Sequence, residues 1–480
     1  MLFFLLTYIV WHQIAMEVFA WYIATYVKIP LSTLPKDGLR VAYLTAFVPG
    51  SEPYNILEDT LKAMVAVTYP HDTWLLDEGN DDEAKRICAQ YGVHHYSRKG
   101  IDKFNATSGK FIKKTKGGNY NSWLHHYDQK YDIVAQHDVD FIPQKNFLLR
   151  TLGYFNDPKV AFVGTPQIYG NLDESWIARG AAEQTYGFYG PLQKGFYGHD
   201  MTLLIGANHI VRTEAYRDID GYTAHIVEDM LTGMKLYTHE NNWKSVYVPE
   251  TLLIGEGPST WQSYFAQQLR WAYGCMDIVF RHAPKLLPMM NSRRVINYIV
   301  LQQFYFSGVA QVAGILLLSI YFLFGITSAS MELWPVLYLY LPLLIYQILF
   351  QLWLQRFNID PIQERGLLLR GKLLALAAWP IYFLAFVGAV RGKKLTYVVT
   401  PKGDQQSIDY FPSLFIPHFI LGSITLMGII AGVYLGNDAP QVLFWAILNT
   451  GIMYGFFFGE AIPATMLWMK NFLFNKKIFS

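Results

Sequence analysis

Three short stretches place acids where a carboxylate could do chemistry. "HDVD" holds Asp138 and Asp140 two residues apart, and in extended backbone such residues share one side. Hard cations take carboxylate oxygens, so this pair can grip a divalent ion that also holds phosphate oxygens. "HIVEDM" sets Glu228 and Asp229 ahead of a helical stretch. There a carboxylate can act as general base toward a hydroxyl, and equally well an acid pair can face the helix dipole. "LDEG" puts Asp77 and Glu78 at a strand end, able to accept hydrogen bonds from a nucleobase or ribose, or simply to close a turn. "KTKGGNYN" offers Lys116 beside two glycines, with Asn119 and Asn121 opening a helix. Small residues let backbone approach a phosphate and the lysine supplies charge.

Those residues need strands and helices to aim them. "VAYLTAFV" (41–48), "TWLLDEG" (73–79), "YDIVAQHDVD" (131–140) and "VAFVGTPQ" (160–167) read as strands, while "YNILEDTLKAMVAV" (54–67) and "DDEAKRICAQYG" read as helices. Such alternation predicts a largely parallel α/β sheet over residues 35–257. Ligands of such sheets sit beyond the carboxyl ends of the strands, which is where the acids of "LDEG" and "HDVD" fall.

Composition adds a membrane. Of 480 residues, 52% are hydrophobic and only 16% charged, well below the usual quarter for soluble domains. Lys plus Arg (39) nearly balance Asp plus Glu (37), so nucleic-acid binding has no electrostatic support. The cysteines, Cys88 and Cys275, imply no disulfide framework and suit a reducing compartment. Apolar runs of about 20 residues can cross a bilayer; candidates are 2–27, 297–325, 334–355, 413–436 and 441–469. The first begins at Met1 without a basic flank or small-residue cleavage site, which predicts an anchor rather than a cleaved leader. Basic clusters at 28–40, 281–294, 356–394 and 476–477 all fall on one side if the chain crosses five times, and "ITSASME" and "NDAP" on the other side contain no Lys or Arg. The positive-inside tendency then puts residues 35–295 in the cytoplasm. The stretch 373–390 contains Pro380 and is flanked by basic residues, so a helix lying in the interface is expected there rather than a sixth crossing. "QQLRW" (267–271) stands just ahead of the apolar half, and "YVVTPKGD" (397–404) follows the interfacial stretch.

Taken in order, "LDEG", "KGGNYN", "DVD", "VED", "QQLRW" and "VVTPKG" resemble the membrane-embedded family 2 glycosyltransferases, the group of cellulose, chitin and hyaluronan synthases. "QQLRWAYG" and "VVTPKG" bring it nearest to bacterial cellulose synthase-like catalytic subunits. The resemblance implies a Rossmann-like GT-A glycosyltransferase domain inserted in an α-helical transmembrane bundle. It divides the chain into an N-terminal membrane helix (1–30), the catalytic domain (35–257), interfacial helices (258–295), two membrane helices (296–355), an interfacial helix with a gating loop (356–412) and two more membrane helices (413–470). The implied activity is processive, inverting polymerisation of a nucleotide sugar, UDP-glucose favoured, into a β-linked polysaccharide passed across the bacterial inner membrane.

The resemblance also assigns roles. Asp77 would contact the uridine, with Glu52 of "GSE" near the base, and Lys116 the diphosphate. Asp138 and Asp140 would hold the diphosphate through Mg²⁺ or Mn²⁺, and Asp229 would be the general base. Gln267, Arg270 and Trp271 would line the mouth of a membrane channel, Arg270 facing the diphosphate and Trp271 stacking on the acceptor sugar. Thr400 and Lys402 would belong to a loop closing over the nucleotide. Implied partners are the donor, the growing glycan, the bilayer and an accessory export subunit. "GSE" lacks the family's aromatic, "DEG" replaces a double aspartate, "VED" lacks its leading threonine, and the gating loop carries Tyr397 in place of phenylalanine. The end at Ser480 would leave no room for a C-terminal cyclic-dinucleotide barrel. Two other readings use the same residues: a non-processive transferase acting on a membrane lipid, and a transporter or scaffold in which Glu460 marks a translocation path.

Overall fold

A computed structural model describes residues 2–327, 332–392 and 412–476. The "YVVTPKGD" stretch, with Thr400 and Lys402, lies outside them. The strands are β1 (Val41–Phe47), β2 (Asp72–Asp77), β3 (His94–Tyr96), β4 (Ile133–Asp138), β5 (Ile142–Pro143), β6 (Val160–Gly164), β7 (Ile168–Tyr169), β8 (Asn208–Arg212), β9 (Lys244–Tyr247) and β10 (Leu253–Gly255). Seven of them form one sheet in the order β3-β2-β1-β4-β8-β6-β9, and β5-β10-β7 form a second of three. β1, β2, β3 and β4 run parallel, as does β6 with β9, but β8 is antiparallel to both its neighbours. The sheet is therefore mixed rather than simply parallel, because "NHIVR" enters from the far edge.

Register carries the chemistry. Phe47 pairs with Asp77 and Ala46 with Asp138, so two strand-end acids flank the carboxyl end of β1. The antiparallel β8 starts opposite, Asn208 against His137, and its approach lays Ala207 beside Asp138, whose N–H donates to the Ala207 carbonyl at 2.8 Å. Strands β1, β4 and β6 are buried almost throughout, as expected of a sheet covered on both faces. The helix Asp82–Tyr91 is fixed at both ends: Asp81 caps Ala84 N–H, and Gly92 ends it at φ 68°. In that left-handed conformation glycine is favoured.

Among the described residues, five helices are long and apolar enough to cross a membrane: Phe4–Ala24, Ser292–Phe324, Leu333–Phe357, Pro412–Leu435 and Pro440–Pro463. The chain is an integral membrane protein. On the third, Tyr338 is 74% exposed and Leu349 60%, apolar faces that only lipid or another helix would cover. The 373–390 stretch lies in two helices, Leu369–Ala377 and Trp379–Val390, bent by 43° at Ala378; Pro380, in the first turn of the second, cannot continue a straight helix from the first. The second packs on the helix Trp261–Asp277, with the Tyr382 hydroxyl donating to Gln268 Oε1 at 2.9 Å. That helix opens with a reciprocal cap between Thr260 and Ser263. Its first residue, Trp261, donates through Nε1 to Glu460 Oε1 at 2.9 Å. Glu460 thereby ties the last span to that helix.

Candidate active site

Lys116 opens the helix Lys116–Tyr127, which Thr115 caps by accepting from Gly118 N–H. Gly118 is required by space: a Cβ there would sit 2.1 Å from the Ile112 carbonyl. Held this way, Lys116 Nζ donates to Asp138 Oδ1 and to the Gly206 carbonyl, both at 2.6 Å. Burial pulls the ammonium's pKa down, but Asp138, Tyr120 and Glu228 outweigh it and carry the net shift upward. The lysine is therefore a fixed positive charge at the end of β4. Asp138 keeps 37% of its side chain exposed there, while Asp140 is 7% exposed.

Asp229 sits in the first turn of the helix Glu228–Thr238. Its Oδ2 accepts from Gly206 N–H and its Oδ1 from Met230 N–H, each at 2.7 Å. Gly206 therefore serves both sides of the site, its carbonyl on Lys116 and its N–H on Asp229. Burial raises the Asp229 pKa, against the lowering pull of those two N–H groups and Lys116. Glu228 is raised too, by burial and then by the neighbouring Asp229. Two adjacent carboxyls in a poorly solvated site resist holding two charges.

A Cβ on residue 206 would stand 2.8 Å from Asp229 Oδ2. Gly206→Ala is expected to push the carboxylate aside and lower turnover about a hundredfold, the scale of an ångström's misplacement, with the melting temperature little changed. Steady-state kinetics beside a thermal melt checks this.

The Trp261–Asp277 helix brings Gln267 and Arg270 to the same region. Gln267 Nε2 lies 3.5 Å from the Tyr169 hydroxyl, which also accepts from Gln167 Nε2 at 3.2 Å. Tyr189 donates to Gln167 Oε1 at 3.0 Å. Burial raises the Tyr169 phenol's pKa, and it feels the charges of Asp140, Arg270 and Asp138. The amide–phenol chain thus ties the "QQLRW" helix to Tyr169, which lies within electrostatic reach of Asp140 and Asp138. Trp271 is half-buried against the core.

Two further acids bond local backbone. Asp77 is wholly buried; its Oδ1 accepts from Gly79 N–H, and its Oδ2 from Asp81 N–H and bonds His95 Nε2. These bonds build the turn after β2. Glu52 is 8% exposed and accepts from Val48 N–H at 2.8 Å. The neighbouring Glu78 pairs with Arg98 at 2.5 Å. That fully buried guanidinium also donates to the carbonyls of Phe104, Ile112 and Thr115, the last directly before Lys116. Gly206, Arg98 and Tyr169 were not singled out from sequence. The small pair in "LLIGAN", between two strand-like runs, was the available signal for the first.

Elsewhere, His225, Asp277 and His282 bring three metal-capable atoms within 4.8 Å of one another. Asp277 is also held by Arg281, and His282 stands among the positive charges of Lys235, Lys285 and Arg281, which oppose a cation.

Residues 133–354 match the profile described as "Glycosyl transferase family group 2", a segment running from β4 and its acids through Asp229 and "QQLRW". The matched segment reads as a family 2 glycosyltransferase domain. Two curated proteins align along most of it. The cellulose synthase catalytic subunit [UDP-forming] of Pseudomonas fluorescens is 26% identical over 87% of this chain and 55% of its own length. Its Xanthomonas axonopodis pv. citri counterpart is 26% identical over 86% and 56%. The chain spans about half the length of these relatives. Among solved structures, a mannosyltransferase from Pyrobaculum calidifontis in complex with GDP-Man and Mn²⁺ superposes with TM-score 0.55 at 14% identity, over 82% of this chain and all of that one. The fold is therefore the GT-A type.

Proposed function

We propose that the chain is a processive, inverting transferase that adds sugar from a nucleotide donor to a growing β-linked glycan, with UDP-glucose favoured because the relatives are named as UDP-forming cellulose synthases. The observation that carries this is the Gly206 peptide, which holds a base-type carboxylate on its N–H and an anion-binding lysine on its carbonyl. An acceptor hydroxyl would give its proton to Asp229 while its oxygen bonds to the anomeric carbon. The bond from that carbon to the diphosphate breaks, and the nucleoside diphosphate leaves with the electron pair, facing Lys116. One such displacement inverts the anomeric centre.

Asp138 and Asp140 fit a divalent cation in type: two hard carboxylates at a strand end, with room for diphosphate oxygens to complete the set. Bound there, Mg²⁺ or Mn²⁺ would neutralise charge gathering on the leaving group. Gln267, Arg270 and Trp271 stand on the helix between this site and the spans, as an acceptor-binding surface would require. Export of the product through those spans, a cytoplasmic catalytic side, residence in a bacterial inner membrane and an accessory export subunit belong to the same proposal.

Asp229 works only without its proton, and burial raises its pKa. The rate should therefore rise with pH as that proton leaves, with a midpoint above the ordinary aspartate value of about 3.9. A pH profile of kcat/KM tests this, and a limb at the ordinary value contradicts it.

The reading itself is tested with purified protein in nanodiscs, Mn²⁺ or Mg²⁺, and a panel of nucleotide sugars, reading nucleotide release. Release from one donor that stops in Asp229→Asn supports it. Release from none, or release indifferent to Asp229, overturns it.

A further inference from the structure

A cavity of about 570 Å³ opens where the first span, the Ser292–Gln303 helix and the short helix Ala283–Leu286 meet. Its walls are mostly apolar, among them Trp11, Ala15, Leu287, Ile299 and Phe306, and Met234 on the Asp229-bearing helix closes its inner end. Two of its walls are bilayer-crossing helices, so the space faces acyl chains, and an apolar space of this kind does not favour water.

The rim toward the sheet region is basic. Lys235 follows the lining Met234 and Lys285 follows the lining Pro284, and both lie close enough to act electrostatically on His282 together with Arg281. Asp277, the acid within this group, is paired with Arg281. Positive charge at the bilayer surface above an apolar slot between spans is the arrangement that binds an acidic headgroup. The same charges weigh against a cation on His225, Asp277 and His282.

We propose that this cavity binds one anionic phospholipid of the surrounding bilayer. One acyl chain fills the slot between the first span and the Ser292–Gln303 helix, and the phosphate meets Lys235 and Lys285. The site backs directly onto the catalytic helix: Gln302 Nε2 donates to the sulfur of Met230, 3.4 Å away, the residue after Asp229.

The test is native mass spectrometry of the full chain, offered phosphatidylglycerol and phosphatidylcholine in equal amounts in mild detergent. Wild type should retain one phosphatidylglycerol in at least about tenfold preference, the ratio equivalent to 1.4 kcal/mol. The double variant Lys235→Gln/Lys285→Gln should lose that preference. Ile299→Trp, which fills the slot from a position 47% exposed, should retain neither lipid. Should Ile299→Trp fail to fold in a thermal melt, the lysine variant decides alone. Equal retention of the two lipids by wild type, a preference unchanged in the lysine variant, or a polyprenyl phosphate as the retained species would overturn the proposal.

Discussion

Asp229→Asn should leave donor affinity intact and cut turnover at least about a hundredfold, the usual reach of a general base. The reason lies in how the carboxylate is held. Gly206 N–H and Met230 N–H fix both oxygens, so the side chain is aimed before substrate arrives. Asparagine keeps the size but cannot accept the acceptor's proton, and its NH₂ would face one of those N–H donors. Donor titration beside single-turnover rates separates the two effects. A variant that binds donor and still turns over at wild-type rate would remove Asp229 from the chemistry.

Lys116→Met should be nearly as damaging, by a different route. It removes the charge set to face the leaving diphosphate and strips Asp138 of its 2.6 Å partner. Losing one such preorganised donor costs about a hundredfold or more in rate, and here donor affinity should fall as well. Asp138→Asn should do comparable harm. Because the residues act as a pair, the double variant should fall little below the worse single one, a failure of additivity expected of groups in contact. Additive losses in kcat/KM would show that the observed ion pair has no part in catalysis.

How much of this could be read from the chain follows from where each residue acts. Asp138 and Asp140 follow a run so apolar that it had to be buried, which leaves the acids at a strand tip; β4 ends at Asp138. The five candidate spans were legible because bilayer thickness sets their length. The β8 strand and its antiparallel direction were not, since direction depends on how residues 170–207 travel before "NHIVR" is reached. Gly206 depends on the same journey, and only its position between Lys116 and Asp229 gives it a role. The partners of Asp77 were not legible for a local reason: "DEGND" folds into a turn whose own N–H groups and His95 bond the carboxylate. Arg98 acts entirely through carbonyls of a distant loop, and no spacing rule marks such a residue.

The measurement closest to the central claim is the size of the labelled product. With the donor that turns over, protein in nanodiscs should build a high-molecular-weight glycan cut by a β-specific hydrolase, and Asp229→Asn should build none. A single sugar on an organic-soluble lipid would contradict the account and leave a transferase that acts once on a membrane acceptor.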